Sequence, residues 1–204
     1  MEKYKNLLEK GCCNFEITDS KTLQSLEELS KSEHFESKNW KFLRWAHYGI
    51  QFESNEAAIE FIQEYKELKE PSQVYFQYGI GWNQTVHTKT ISDEIRNYVS
   101  EAYGLDNSEI QQPELGLNIY MNGFHIRNHR DGGDGGLSRL TAVLIYMNEC
   151  EGGELVIHGG QETITPKLGR VVMIDLTKHD IEHAVNLIKG DNPRIVLISF
   201  VKKS

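Results

Sequence analysis

The sequence predicts an α+β protein: a mainly helical N-terminal part over residues 1–114, followed by an antiparallel sandwich or barrel over residues 115–204. Three observations predict it. Before Gly104, apolar residues recur at the three- and four-residue spacing of helices with one buried face. After residue 115 they fall into short runs separated by glycine or asparagine turns, which is strand texture. Proline is nearly absent from those runs, as strands with neighbours on both sides require. No repeat, low-complexity tract or linker divides the two parts, so residues 1–204 are expected to form one domain.

Taken in order, Asp19 or Ser20 is placed to cap a helix whose one face carries Leu23, Leu26 and Leu29. Asn55 precedes a second stripe, Ala57, Ala58, Ile59, Phe61 and Ile62. Val74 to Tyr78 reads as a strand. Ser92 stands before a third stripe of Ile95, Tyr98, Val99 and Ala102, which Gly104 would end. Strands are then expected at Leu117 to Met121, Leu140 to Met147, Glu154 to His158, Val171 to Asp175 and Ile195 to Val201. Trp40, Trp45 and Trp82 read as core residues.

Composition narrows the class. Hydrophobic residues make up 39% and charged residues 25%, an ordinary globular balance. The net charge of -8 argues against nucleic acid and anionic membrane as partners, because counterion release at a basic stripe supplies most of such affinity. The basic residues form only fragments such as Lys202-Lys203. No apolar run could span a bilayer and the N-terminus lacks a signal-like core, so a cytoplasmic location is expected. Cys12, Cys13 and Cys150 are odd in number and form no C-x-x-C, the pattern of reduced, structurally incidental thiols.

The chemistry concentrates late in the chain. In an extended segment, residues two apart share a face, so His129 and Asp131 would aim an imidazole and a carboxylate at one metal. His179 and His183 both follow the strand ending at Asp175, and either could supply a third ligand. His183 is preferred because it begins an H-x-V step into the next strand, whereas His179 reads as an exposed loop residue. Two histidines and one carboxylate on one face of an octahedral ion form the arrangement of non-haem Fe(II) oxygenases. Arg194 opens the last strand on the face of Val196, Ile198 and Phe200, where an arginine either meets a carboxylate or reaches solvent from the strand edge.

Residues 118 to 201 resemble the Fe(II)/2-oxoglutarate-dependent dioxygenases, in particular their prolyl 4-hydroxylase-like branch. The likeness is carried by Tyr120, Gly123, His129 and Asp131; by Arg139, Tyr146-Met147-Asn148 and Gly152-Gly153-Glu154; by Pro166, Gly169 and Arg170; and by His183, Val185 and Arg194. It implies a double-stranded β-helix (jelly-roll, cupin-like) core with supporting N-terminal helices. It also implies Fe(II) held by His129, Asp131 and His183, with 2-oxoglutarate and O2 as co-substrates. Arg194 would pair with the co-substrate's distal carboxylate, and Tyr120 or Tyr146 would hydrogen-bond it. Many relatives carry a hydroxyl residue two or four positions after that arginine, where Val196 and Ile198 stand here. Ser199 falls on the opposite face, which leaves more of the recognition to the tyrosines.

The implied reaction hydroxylates an aliphatic C–H of an amino acid, free or within a peptide or protein, while 2-oxoglutarate becomes succinate and CO2. Asp131 favours hydroxylation over halogenation, since related halogenases have a small residue there. The loop Gly132-Gly133-Asp134-Gly135-Gly136 reads as a lid at the lip of the site, and His125 and Arg127 alternate with His129 towards the same cavity. Two other readings stay open: an alkylated-base demethylase of the same superfamily, suggested by Asn118-x-Tyr120-x-x-Gly123, and a non-catalytic metal-binding jelly-roll module.

Overall fold

The computed structural model describes residues 2–32, 41–44, 47–51, 74–80, 83–132 and 139–204. The expected helix over residues 55–62, the three tryptophans and positions 133–136 of the glycine loop lie outside them. Fourteen strands are described, in chain order β1 (Cys12–Glu16), β2 (Lys41–Arg44), β3 (His47–Gln51), β4 (Val74–Ile80), β5 (Leu115–Tyr120), β6 (Ile126–His129), β7 (Arg139–Tyr146), β8 (Glu151–Gly152), β9 (Leu155–Ile157), β10 (Glu162–Ile164), β11 (Arg170–Asp175), β12 (His183–Val185), β13 (Ile188–Lys189) and β14 (Arg194–Lys202). The helices are α1 (Lys5–Lys10), α2 (Ser20–Ser30) and α3 (Val86–Tyr103).

The strands form a jelly roll. Eight make a main sheet in the order β1-β11-β7-β14-β5-β4-β2-β3, and four make a smaller sheet in the order β10-β9-β12-β6. A two-stranded piece joins β13 to β8. Every pairing is antiparallel. The strand expected at Val74 to Tyr78 and the five expected after residue 115 are all present, within a residue or two of their ends. Of the four strands before residue 81, β1, β2 and β3 depart from the mainly helical reading of residues 1–114, and all four join the main sheet. Strand β1 is too short for its alternation to stand out, and its buried side chains include Cys12 and Cys13. Both thiols are free, and burial pushes that of Cys13 up to about 12.

Alternation gives the main sheet two unlike faces. On β14, Leu197, Ser199 and Val201 are buried, whereas Ile198 and Phe200 on the other face are partly exposed. The first face carries the helices. Phe15 of β1 stacks edge-on against Tyr98 of α3 at 5.1 Å, and the Tyr103 hydroxyl donates to Asp175 of β11 at 2.9 Å. The second face looks across the roll. Ser199 lies on the helix-facing side, as alternation requires.

Helix α2 is capped by Asp19, whose carboxylate accepts from the Thr22 amide at 2.7 Å, and it buries Leu26 and Leu29. Helix α3 ends at Gly104 as expected but starts seven residues before Ser92, at a reciprocal Thr85–Thr88 capping box. Ser92 is an interior helical residue, and its hydroxyl donates to the Pro113 carbonyl at 2.6 Å. The apolar stripe had marked only the buried part of this helix; its first turn carries polar Thr and His side chains. Among the described residues, no helix is long and apolar enough to cross a membrane.

Candidate active site

The smaller sheet brings the two expected histidines together. Strands β6 and β12 are neighbours, and His183 lies directly opposite His129 in their register. Strand β6 stops at His129, so Asp131 is not on the same extended segment; it sits in the following turn. His129 and Asp131 do converge, but not by alternation along one strand: the turn, not the pleat, swings the carboxylate inward. Asp131 reaches His129 Nε2 through Oδ1 and His183 Nε2 through Oδ2, each at 3.5 Å. The ligand atoms of the three residues lie within 4.8 Å of one another.

Each imidazole is oriented by its own backbone. His129 Nδ1 donates to the Arg127 carbonyl at 2.9 Å and His183 Nδ1 to the Ile181 carbonyl at 3.1 Å. A carbonyl only accepts, so in both rings the proton sits on Nδ1 and Nε2 is the nitrogen able to offer electrons to a cation. Burial depresses the basicity of His183 and, with the adjacent imidazole, outweighs the Asp131 charge. Burial acts the same way on His129, but its contact with Asp131 prevails and raises its pKa. Burial would raise Asp131; the two histidines and Arg139 hold it below the usual carboxylate range instead.

A second polar group faces this one across the roll, from the main sheet. Arg194 is 0% exposed, opposite Tyr120 in the β14–β5 register, and its guanidinium lies over the Tyr120 ring at 4.7 Å and the Tyr146 ring at 4.9 Å. Its Nη2 donates to the Tyr146 hydroxyl at 3.2 Å. Nε and Nη1 are buried with no hydrogen-bond partner among the described residues. Gly153, at φ 69, makes room for this side chain: a Cβ there would sit 3.0 Å from Arg194 Cδ. A buried cation with two unanswered donors costs free energy unless an anion meets it.

The remaining expected residues are distributed differently. His179 is partly buried rather than exposed, and its Nε2 donates to the Leu8 carbonyl at 3.1 Å, tying α1 to the loop before His183. It is not part of the metal-type cluster. His125 is half-buried with Nδ1 enclosed, whereas Arg127 is exposed. Three supporting residues had drawn no role from the sequence. Arg139, there only a motif match, stacks on Phe200 at 4.5 Å and donates to the Asp131 carbonyl at 3.3 Å. Asp175 accepts from the Thr177 hydroxyl at 2.6 Å and from the Lys178 and His179 amides at 3.0 and 3.1 Å. Asp180 bonds to both neighbours of Asp131. No spacing rule identifies the Asp180 contacts, which join segments about fifty residues apart.

The donors present suit a divalent ion and a dicarboxylate. Two neutral imidazoles and one carboxylate leave a net charge of minus one for a dication, with no thiolate to favour a softer metal. The Nε and Nη1 of Arg194, without partners among the described residues, leave the guanidinium donors free on two of its edges for an anion.

Comparison with known proteins agrees. Residues 115–202 match the family model of the 2OG-Fe(II) oxygenase superfamily. No curated protein matches the chain in sequence. Among solved structures, a Pseudomonas putida prolyl-4-hydroxylase aligns over 100% of this chain and 98% of its own, at TM-score 0.69 and 14% identity. A Trichoplax adhaerens prolyl hydroxylase, in complex with a hypoxia inducible factor oxygen degradation domain peptide fragment, aligns over 97% and 87% at TM-score 0.62 and 16% identity. The viral collagen prolyl hydroxylase of Paramecium Bursaria Chlorella virus-1, in its 2OG complex, aligns over 82% and 97% at TM-score 0.55 and 17% identity. Residues 115–202, which carry the candidate site, are thus similar to the 2OG-Fe(II) oxygenase superfamily, and the chain has the fold of the prolyl hydroxylase structures it aligns with.

Proposed function

We propose that the protein is an Fe(II)- and 2-oxoglutarate-dependent dioxygenase that hydroxylates an aliphatic C–H of an amino acid residue, within a peptide or protein or as the free amino acid, while 2-oxoglutarate is converted to succinate and CO2. We assign His129, Asp131 and His183 as the iron ligands and Arg194, Tyr146 and Tyr120 as the residues that hold 2-oxoglutarate. The observation that carries this reading is the pairing of a two-histidine, one-carboxylate cluster with a buried arginine whose Nε and Nη1 lack partners among the described residues.

Bound iron, with 2-oxoglutarate and O2, supplies the oxidising power that inserts oxygen into the C–H bond. The protein supplies placement. The Nδ1–H bonds fix the histidine rings so that both Nε2 atoms and the Asp131 carboxylate converge. Arg194 offers its unanswered donors to a carboxylate, and Tyr146 anchors the guanidinium by accepting from Nη2. Ile198 and Phe200, on the same face of β14, offer the substrate an apolar wall that limits water near the reacting carbon. The peptide bound by the Trichoplax adhaerens relative supports a peptide or protein substrate. We also read residues 1–204 as one domain, since β1 to β4 lie in the main sheet.

The test is succinate release under air with Fe(II) and 2-oxoglutarate, screened over free amino acids and proline-containing peptides, with mass spectrometry for one added oxygen. A product from an amino acid or peptide supports the proposal. Turnover confined to methylated oligonucleotides would replace it. Absence of succinate, together with no visible charge-transfer band when Fe(II) and 2-oxoglutarate are added without air, would leave only a binding module.

A further inference from the structure

The turn that carries Asp131 is fastened at three consecutive residues, and two of the fastenings lead to one residue, one to its backbone carbonyl and one to its side chain. Arg130 Nη1 donates to the Asp180 carbonyl at 2.7 Å, and the Gly132 amide donates to Asp180 Oδ1 at 2.9 Å. The middle residue is held from elsewhere, by the Arg139 bond to the Asp131 carbonyl. Asp180 has φ 36, a left-handed conformation that aspartate tolerates better than most residues, and its own amide donates to the Asp175 carbonyl at 3.1 Å. The approach to Gly132 leaves no space for a side chain, because a Cβ there would sit 2.8 Å from Asp180 Oδ1 and 2.9 Å from Cγ. Asp180 stands three residues before His183. It therefore locks the segment bearing the carboxylate to the segment bearing the distal histidine.

We propose that Asp180 is a positioning residue for the metal centre, holding the Arg130–Gly132 turn so that Asp131 faces His129 and His183 before any ion arrives. This rests on the assignment of those three residues as metal ligands. Without the lock, the carboxylate would have to be ordered at the moment of binding, and that cost would appear as weaker metal affinity. Outer partners of metal ligands commonly matter by about 10–100-fold in affinity.

The experiment titrates the metal-free full chain with Mn(II), following unbound Mn(II) by electron paramagnetic resonance. Asp180→Gly removes the acceptor without a φ penalty and is expected to bind Mn(II) about tenfold or more weakly. Asp180→Asn keeps an acceptor oxygen and tolerance of the left-handed region, and is expected to restore affinity near wild type. Gly132→Ala should weaken binding in the wild-type background and much less in Asp180→Gly, because the atoms it collides with are gone. Independently of any variant, the Gly132 amide of the metal-free wild type should be protected from hydrogen exchange. Wild-type affinity in a folded Asp180→Gly, or unprotected exchange at Gly132, overturns the proposal. If Asp180→Gly does not fold, the exchange measurement and the Asp180→Asn titration decide it. Failure of the wild type itself to bind Mn(II) overturns the ligand assignment instead.

Discussion

The two walls of the jelly roll treat charge in opposite ways. In the smaller sheet, Asp131 contacts both histidines, and each ring is tied to a carbonyl two residues upstream, so the polar groups answer one another. In the main sheet, Arg194 sits among apolar strands with two donors unanswered among the described residues. The first wall is nearly complete without its ligand; the second is not. A preorganised cluster lets an ion bind without rearrangement, whereas a buried unpaired cation makes the anion a contributor to folding stability.

The largest expected effect breaks the first wall. His129→Ala, Asp131→Ala and His183→Ala should each take succinate formation to background and abolish Mn(II) binding. If His183→Ala stays active while His179→Ala is dead, the ligand set is wrong.

Arg194→Met sharpens the contrast with the second wall. It should weaken 2-oxoglutarate binding by about 2–5 kcal/mol, as expected for truncating one partner of a buried charge pair. The same change should leave the co-substrate-free protein as stable as wild type or about 1–4 kcal/mol more so, because an unpaired buried charge is replaced by an apolar chain of similar size. Thermal melts with and without 2-oxoglutarate read both quantities. A large loss of stability in the absence of 2-oxoglutarate would show that the arginine is already satisfied.

Asp175 tests the supporting loop. Burial would raise its pKa, but the Thr177 hydroxyl, the Lys178 amide, the Tyr103 hydroxyl and the His179 amide together hold it below the ordinary aspartate value. A depressed folded-state pKa gives stability that is present above the unfolded value, about 3.9, and lost as pH falls through the folded one. Asp175→Asn should therefore cost about 1–3 kcal/mol near neutrality, and the gap from wild type should close in acid. Urea unfolding across that range checks the sign. His179→Ala is the smallest expected change, about 0.5–1.5 kcal/mol of stability from the lost bond to Leu8, with turnover retained.

Much of the fold and of the candidate site was legible in the residues. The core strands show as apolar runs between turns, and His129, Asp131, His183 and Arg194 stand in an ordered set of motifs. Less legible were β1 and the short strands β8, β10 and β13, where two to five residues are too few for a period to register. The start of α3 was also hidden, because its capping box lies beyond the buried stripe. His179 and His183 were separable only by the step into β12. The structure adds that the former turns to the end of α1 and the latter to Asp131.

Local patterns in the chain determine which segments become strands, which faces are apolar and which donors are available, because these depend on alternation and residue chemistry alone. Tertiary structure decides what those donors meet. Only the β6–β12 pairing sets one histidine across from the other, and only the turn after β6 brings Asp131 between them. Only the packing of β14 between β5 and β7 encloses Arg194 with two donors to spare. Those contacts join residues far apart in sequence, and register and closure set them, not the local period of the chain.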